Sequence, residues 1–147
     1  MNKHNELTQK ALSIVELERK IEFLKKNKRG AAIQNLVSEM VDVADAGVYF
    51  SILFGSMARN QAREASDIDL LFVLLDKEST RSKLENFTER MVMMTNERFS
   101  FHLVTLPELE KEWLEKSIYR NIWDERIVLS GEQNFWHFVL KNGEPHG

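Results

Sequence analysis

Residues Ser51–Leu75, SILFGSMARNQAREASDIDLLFVLL, decide the fold of this chain. The segment begins with aromatic and β-branched residues and reaches Gly55-Ser56, which predicts a strand that ends in a turn and a short helix. Asp67-Ile68-Asp69 then opens the apolar run Leu70–Leu75, whose lack of charge predicts a central strand covered on both faces. The stretch therefore predicts two strands joined by a polar connection, with paired acids at the mouth of the second.

The turn and the acids each have the chemistry that a nucleoside triphosphate requires. Gly55 permits a close backbone approach, and Ser56 caps the following helix, contacts a phosphate, or does both. Asp67 and Asp69 lie two apart, so on a strand their carboxylates leave one face and repel each other unless a cation lies between them. Mg²⁺, or Mn²⁺ in its place, suits such a site because it takes few carboxylates and completes its shell with water and phosphate oxygens.

Polar side chains between the turn and the acids extend the predicted site. Arg59 and Arg63 either hold the remaining phosphate charge or form surface salt bridges, and we expect the phosphate role for Arg59 first. Ser66, which directly precedes the acids, is counted with the nucleotide-binding residues. The whole stretch predicts a site for a metal-bound nucleoside triphosphate.

Composition bounds the class of protein. At 147 residues, 43% hydrophobic and 29% charged, the chain fits one soluble globular domain. The absence of cysteine excludes disulfides, thiolate metal sites and a cysteine nucleophile. No apolar run is long enough to span a membrane and the polar start is no signal peptide, so we expect a cytoplasmic protein. The net charge of −3 gives no general attraction to nucleic acid.

The first 30 residues differ from the rest in charge and periodicity. They are net basic, so this arm could touch an acidic partner, although a solvated helix face is the simpler interpretation. Apolar residues at spacings of 7, 3, 4 and 3 predict one helix over residues 5–27 with a single stripe, made of Leu7, Ile14, Leu17, Ile21 and Leu24. The helix either folds back on the domain or pairs with another chain.

Further helices and strands are predicted from apolar periodicity and turn residues. They are a helix over residues 31–46, a long helix within residues 76–96 whose methionines fill the core, a strand over residues 98–106, a helix from Pro107 to Ile118, and an apolar segment over residues 133–140. The last segment either packs on the domain or extends to a partner.

The central motif resembles that of the minimal nucleotidyltransferases of the DNA polymerase beta superfamily. Gly55-Ser56, ten residues, and Asp67-Ile68-Asp69 match the G-S-x10-D-x-D signature, and GSMARNQAREASDIDLL is similar to G-S-x-A-R-G-x-A-R-x-x-S-D-I-D-L-L. Asn60 replaces a glycine of that pattern, and asparagine is the residue after glycine that best tolerates a left-handed conformation. The resemblance implies an α/β fold with a small mixed sheet flanked by helices, preceded by an extra N-terminal helix.

The resemblance also divides the chain. Residues 31–131 form the nucleotidyltransferase domain, in which residues 120–131 supply the closing helix and the short terminal strand. Residues 1–30 are an added N-terminal amphipathic helix, and residues 132–147 are a C-terminal aromatic segment and tail.

One departure from the family pattern affects the chemistry. The family normally has a third carboxylate in a local pattern like D-x-V-T-L, and this chain has His102 at that position, in HLVTL. That carboxylate resembles a second-metal ligand and the base that deprotonates the attacking hydroxyl. His102 either serves as the base itself, since an imidazole accepts a proton near neutral pH without a metal, or marks an impaired site.

The resemblance implies Mg²⁺-dependent transfer of a nucleoside monophosphate to a hydroxyl acceptor, with AMP from ATP as the expected case. Asp67 and Asp69 would hold the metal, and Asp67, Asp69 and His102 would form the catalytic set. Free-standing domains of this size are typically antitoxins whose partner is an all-helical HEPN ribonuclease toxin, and some members adenylylate a tyrosine of that toxin. The partner is implied by the resemblance alone.

Two other functions stay open at this point. One is an antitoxin with little catalysis that binds nucleotide and neutralises its toxin by contact, through the N-terminal helix and the aromatic C-terminus. The other, weaker, is a DNA-contacting regulator that uses the basic arm, and the N-terminal helix could also join two copies of the chain.

Overall fold

The computed structural model describes residues 3–27, 29, 33–36, 38–39, 47–61 and 66–145, the side chains of residues 3–5 and 79 excepted. A four-stranded sheet lies at the centre, in the order β3-β2-β1-β4. Its strands are β1 (Val48–Phe54), β2 (Ile68–Leu74), β3 (Phe99–Thr105) and β4 (Ile127–Ser130). β1 pairs antiparallel with β2 and β4, whereas β2 pairs parallel with β3, so the sheet is mixed as predicted.

Helices flank this sheet. Within the described ranges they are α1 (Lys3–Lys26), α2 (Gly55–Ala58), α3 (Lys77–Thr95), α4 (Leu106–Glu112), α5 (Ser117–Glu125) and α6 (Glu132–Asn142). The helix predicted over residues 31–46 is described only in part, and residues 33–36 and 38–39 of it are helical. None of the helices in the described ranges has the length and apolar character that crossing a membrane requires.

The sheet is covered on both faces by two clusters of buried residues. Along β2, Leu70 and Phe72 belong to one cluster, whereas Leu71 and Val73 belong to the other. β2 is therefore the central, doubly covered strand that its unbroken apolar run predicted. The covered part ends one residue earlier than predicted, because Leu75 lies just past the strand and is exposed.

α1 folds back on the domain, which is one of the two alternatives predicted for it. Four residues of the predicted stripe are exposed, namely Leu7, Ile14, Leu17 and Ile21. The buried face of the helix carries Ser13, Glu16 and Phe23 instead. The prediction of one helix is confirmed, and most of its apolar stripe is not what the helix buries on the domain.

Buried polar contacts explain which face of α1 turns inward. Glu16 Oε1 accepts hydrogen bonds from Arg126 Nη2 at 2.8 Å and from Trp136 Nε1 at 3.2 Å, and the Glu16 side chain is fully buried. Lys20 Nζ donates to Glu132 Oε1 at 2.7 Å. A buried carboxylate must be paired, so these contacts orient the helix and leave the apolar stripe outside.

α4 is shorter than predicted. The helix expected from Pro107 to Ile118 ends at Glu112, and α5 begins separately at Ser117. Trp113, the residue after α4, is buried in the core and donates its indole N–H to the carbonyl of residue 143 at 2.8 Å. A large buried ring of this kind usually finds a partner for its N–H.

The methionines of α3 do not all fill the core. Met91 is fully buried as predicted, whereas Met93 is 84% exposed and Met94 is 54% exposed. Met93 follows Met91 by two positions, so helical periodicity turns its side chain away from the sheet. Only one of the three methionine side chains is buried.

The aromatic segment over residues 133–140 packs on the domain. It forms most of α6, and its buried side chains are Phe135, Trp136, Phe138 and Val139, all in the cluster on one face of the sheet. These side chains are therefore part of the core and are not available to a partner.

Candidate nucleotide site

Asp69 lies at the centre of the candidate site and is held there by β2. Its backbone pairs with Phe54, the last residue of β1, on one side and with Ser100 of β3 on the other. Asp67 directly precedes the strand, and its charge is one of those that act on Asp69. The two predicted acids thus lie near each other, and Asp69 lies against the turn.

Gly55 lies against Asp69 and admits no side chain. Its φ is +80°, in the left-handed region, and a β-carbon built there would lie under 3.0 Å from Asp69 Oδ2. The close backbone approach predicted at Gly55 is therefore made to the acid. Asn60 has a φ of 57°, the left-handed conformation expected where it replaces a glycine of the family pattern.

Ser56 does not cap α2. The N-cap is Phe54, no side chain accepts a hydrogen bond there, and Ser56 lies in the first turn with its carbonyl accepting the N–H of Gln61 at 2.9 Å. Because β1 runs as far as Phe54, the helix begins directly at Gly55 and Ser56 comes too late to cap it. The capping prediction was wrong, and a phosphate contact by Ser56 stays a prediction.

Glu125, at the end of α5, contacts the groups predicted to bind phosphate. Its Oε2 accepts the backbone N–H of Gly55 at 2.8 Å, and its Oε1 pairs with Arg59 Nη1 at 2.5 Å. Arg59 also donates through Nε to Gln61 Oε1 at 3.1 Å. Arg59 therefore forms a salt bridge, which was the alternative to its phosphate role. Its partner, Glu125, was not predicted from the sequence, because no motif links residue 125 to the turn.

The site carries excess negative charge around Asp69. Burial raises the pKa of Asp69 most, His102 acts against that shift, and the charges of Asp67 and Glu125 raise the pKa further, with Arg59 opposing them. A carboxylate in such surroundings gains from a nearby cation, which stabilises its ionised form.

Asp67 and Asp69 fit Mg²⁺ as a site of two carboxylates. Their side chains are 45% and 28% exposed, so solvent and substrate can reach both, and Asp67 Oδ1 accepts a hydrogen bond from Arg98 Nε at 3.2 Å. In the described part of the chain, no group of three or more His, Cys, Asp or Glu side chains is placed to hold a metal ion. Water and triphosphate oxygens would have to complete the shell, which is how Mg²⁺ is usually bound.

His102 lies on the same face of the sheet as Asp69. Its partner across the β2–β3 ladder is Leu71, two residues after Asp69, and its Nε2 is 4.0 Å from Asp69 Oδ1 and 3.3 Å from Ser100 Oγ. The imidazole packs against the ring of Phe54, with 5.3 Å between the ring centroids, and is 43% exposed. The side chain is therefore both fixed beside the acids and open to a substrate.

A cavity of about 230 Å³ lies next to His102. Apolar side chains and two acids line it together, and its lining includes His102, Leu71, Leu103, Val104, Glu108, Glu112 and Tyr119. The cavity therefore gives a second molecule a place beside the exposed imidazole.

The remaining predicted nucleotide-binding residues are Arg63 and Ser66. Arg63 falls outside the described residues, so its phosphate role stays a prediction. The carbonyl of Ser66 accepts a hydrogen bond from Arg29 Nη1 at 3.2 Å, and Arg29 also pairs with Glu97. These contacts tie the chain just before the acids to the segment that follows α1.

The mixed sheet, the glycine turn against Asp69 and the second acid at Asp67 define an α/β protein of the nucleotidyltransferase class. A sequence model of the family described as "Polymerase beta, Nucleotidyltransferase" matches residues 33–131, which is more than half of the chain. The protein belongs to this family.

A crystal structure at 1.40 Å resolution of a candidate nucleotidyltransferase from Sulfolobus solfataricus is 23% identical in sequence, with 65% of this chain and 78% of that chain covered and a TM-score of 0.36. No curated protein sequence matches the chain significantly. Membership of the family therefore rests on the family match and on the motif.

Proposed function

We propose that the protein transfers a nucleoside monophosphate, AMP from ATP in the expected case, to a hydroxyl acceptor in a reaction that requires Mg²⁺ or Mn²⁺. The observation that supports this most is the position of Asp69, which lies against the Gly55 turn on one side and 4.0 Å from His102 Nε2 on the other. The groups assigned to metal, phosphate and base are thus neighbours. We also propose a cytoplasmic location, since the proposed substrate is ATP.

The acids and the turn would bind the two parts of the substrate. Asp67 and Asp69 would hold the metal, which supplies neutralisation of the charge on the triphosphate and on the departing pyrophosphate. The Gly55 N–H, Ser56 and Arg59 would seat the phosphates. Arg63 and Ser66 would complete the nucleotide-binding set.

His102 would act as the general base. Its imidazole would take the proton from the acceptor hydroxyl as that oxygen forms a bond to the α-phosphorus and the bond to the β-phosphate oxygen breaks. The cavity beside His102 supports this role, because an acceptor held there would reach the imidazole without crossing the phosphate turn. The open rim of the cavity suits a protein side chain such as tyrosine as acceptor.

Labelled ATP tests the reaction. The protein is incubated with the product of the adjacent gene, ATP labelled at the α-phosphate, and Mg²⁺, beside the variants Asp69→Asn and Glu89→Gln. Glu89 is an exposed acid of α3, so its variant is a matched control for the loss of one carboxylate. Label on the acceptor that is lost with Asp69→Asn and kept with Glu89→Gln supports the enzyme. Label that persists in Asp69→Asn contradicts it.

A second candidate function is neutralisation of a helical partner, such as a HEPN toxin, by contact. The exposed apolar residues of α1 support it, since Leu7, Ile14 and Ile21 recur every seven residues, as in a seam between two helices. The aromatic C-terminus cannot contribute, because its rings are buried. This function requires the variant Asp69→Asn to silence the partner as well as the wild type does, without label.

The same face of α1 could instead join two copies of this chain. Measuring the molar mass in solution, with and without the partner, distinguishes the two uses of the face. A dimer that Ile14→Glu converts to a monomer supports self-association, whereas a monomer that binds the partner only with Ile14 intact supports the heteromeric contact.

A further inference from the structure

We propose that Glu125 competes with the triphosphate for the Gly55 N–H and Arg59. Through this competition it sets the affinity of the site for phosphate. The inference rests on the proposed function, since it concerns the same phosphate groups. It goes beyond the family motif, because residue 125 lies 70 positions after Gly55.

The geometry makes the competition direct. Glu125 Oε2 is 2.8 Å from the Gly55 nitrogen, and Oε1 is 2.5 Å from Arg59 Nη1. One backbone N–H directed at a carboxylate oxygen cannot also donate a full hydrogen bond to a phosphate oxygen. A carboxylate and a phosphate offer the same kind of acceptor to a guanidinium, so the two anions exchange at one place.

The surroundings of Glu125 allow exchange by rotation of its side chain. The next residue, Arg126, is fixed by hydrogen bonds to Glu16 and to the Trp123 carbonyl, the latter at 2.8 Å. The end of α5 is thereby anchored to the core. The Glu125 side chain itself is 16% exposed, so it has contact with solvent through which it can leave the turn.

The charge of Glu125 acts in the same direction as its hydrogen bonds. Its carboxylate lies at the Gly55 N–H and at Arg59, and a triphosphate would bring still more negative charge to this place. Replacing Glu125 with glutamine removes the charge and turns a charge-assisted contact into a neutral one. Since that difference is about 1 kcal/mol, the variant should bind phosphate roughly fivefold more tightly.

The experiment measures binding of inorganic tripolyphosphate by calorimetry in the presence of Mg²⁺. It compares the wild type with Glu125→Gln, with Glu125→Ala, and with Asp124→Asn. Asp124 is an exposed acid one position away, so its variant removes the same charge without touching the turn. Thermal unfolding of each variant establishes that the fold is kept.

We expect both Glu125 variants to bind tripolyphosphate more tightly than the wild type and Asp124→Asn to differ from it by less than twofold. In an Arg59→Gln background, the gain from Glu125→Gln should shrink, because one of the two contested groups is gone. A residue that only supported the fold would produce weaker binding when it is replaced.

Each other outcome overturns the inference in a recognisable way. If the wild type binds tripolyphosphate and the Glu125 variants bind it equally or more weakly, the competition is wrong and the proposed function stands. If Asp124→Asn gives the same gain in affinity for tripolyphosphate, the gain comes from the lower net negative charge and not from the contacts of Glu125. If no variant binds tripolyphosphate, the phosphate site fails, and the proposed function fails with it.

Discussion

Gly55 lies so close to the carboxylate of Asp69 that only a glycine fits at position 55. A β-carbon at position 55 would lie under 3.0 Å from Asp69 Oδ2, and the φ of +80° would strain any L-residue placed there. The register of β1 and β2 produces this approach, since Asp69 pairs with Phe54, the residue before the glycine. The turn at Gly55 and the carboxylate of Asp69 are therefore one unit of structure.

The first prediction concerns Gly55→Ala. We expect it to lower the free energy of unfolding by about 2–4 kcal/mol, because left-handed strain and a clash with the carboxylate add together. Nucleotide binding should be lost as Asp69 is pushed aside. Urea denaturation and ATP titration measure the two effects.

Gly143→Ala is the matched control for that change. Gly143 has a similar φ of +90°, but nothing lies within 4 Å of a β-carbon built there. It should show only the strain, about 1–2 kcal/mol, with nucleotide binding unchanged. Equal losses in both variants would show that the contact with Asp69 costs nothing.

The second prediction concerns the ion pair that orients α1. Arg126→Met should cost about 3–5 kcal/mol, because it leaves the fully buried Glu16 carboxylate without its charged partner. Glu18→Gln, on the exposed side of the same helix, should change the stability by no more than about 0.5 kcal/mol. Chemical denaturation provides both values.

The double variant Glu16→Leu, Arg126→Met separates pairing from packing. It should recover most of the loss, since apolar residues can replace a buried pair when both charges are removed together. A double variant as unstable as Arg126→Met alone would mean that the stacking of the guanidinium, 4.0 Å from the centre of the Trp123 ring, carries the stability instead.

The parts of the fold that the sequence predicts well are those with a local cause. β1 follows from its aromatic and aliphatic residues, β2 follows from the apolar run after Asp69, and the turn between them follows from Gly55. The left-handed Asn60 was also predictable, because residue type alone limits that conformation.

The parts that were not predictable depend on residues far apart in the chain. The buried face of α1 is chosen by Arg126, 110 positions away from Glu16, and no periodicity within the helix reports it. Glu125 meets Gly55 and Arg59 in the same way, across the fold. The sequence pattern of one helix shows which of its residues are apolar. It does not show which face of the helix will be buried, because that face is set by a side chain far away in the chain.

The third prediction links Asp69 to pH. Burial raises the pKa of Asp69, so ionisation disfavours the folded state. Below the unfolded pKa of about 3.9, Asp69 is protonated in both states and its burial does not lower the free energy of unfolding. As pH rises through the higher folded pKa, the free energy of unfolding falls. Asp69→Asn should therefore raise the melting temperature at pH 7, by on the order of 2 °C, although it abolishes transfer.

The pH series supplies its own control. The difference in melting temperature between Asp69→Asn and wild type should shrink as pH falls toward 3.9, where the wild-type acid becomes protonated in both states. A melting temperature for Asp69→Asn that is lower than the wild type at pH 7 would contradict the prediction.

The last prediction distinguishes the two interpretations of His102. If the imidazole is the base, His102→Ala should lower the rate of transfer about 100-fold or more while ATP binding is kept, because proton transfer and not binding is lost. Met93→Ala, at an exposed apolar residue of α3 away from the site, should leave the rate within about twofold.

The variant His102→Asp then distinguishes the two interpretations. The aspartate would lie beside Asp69 on the same face, so it can hold a metal with the other two acids but adds a third negative charge to the site. A rate for His102→Asp that exceeds the wild type would show that the natural site is an impaired one, whereas a rate below it, together with the loss in His102→Ala, identifies the imidazole as the group that takes the proton.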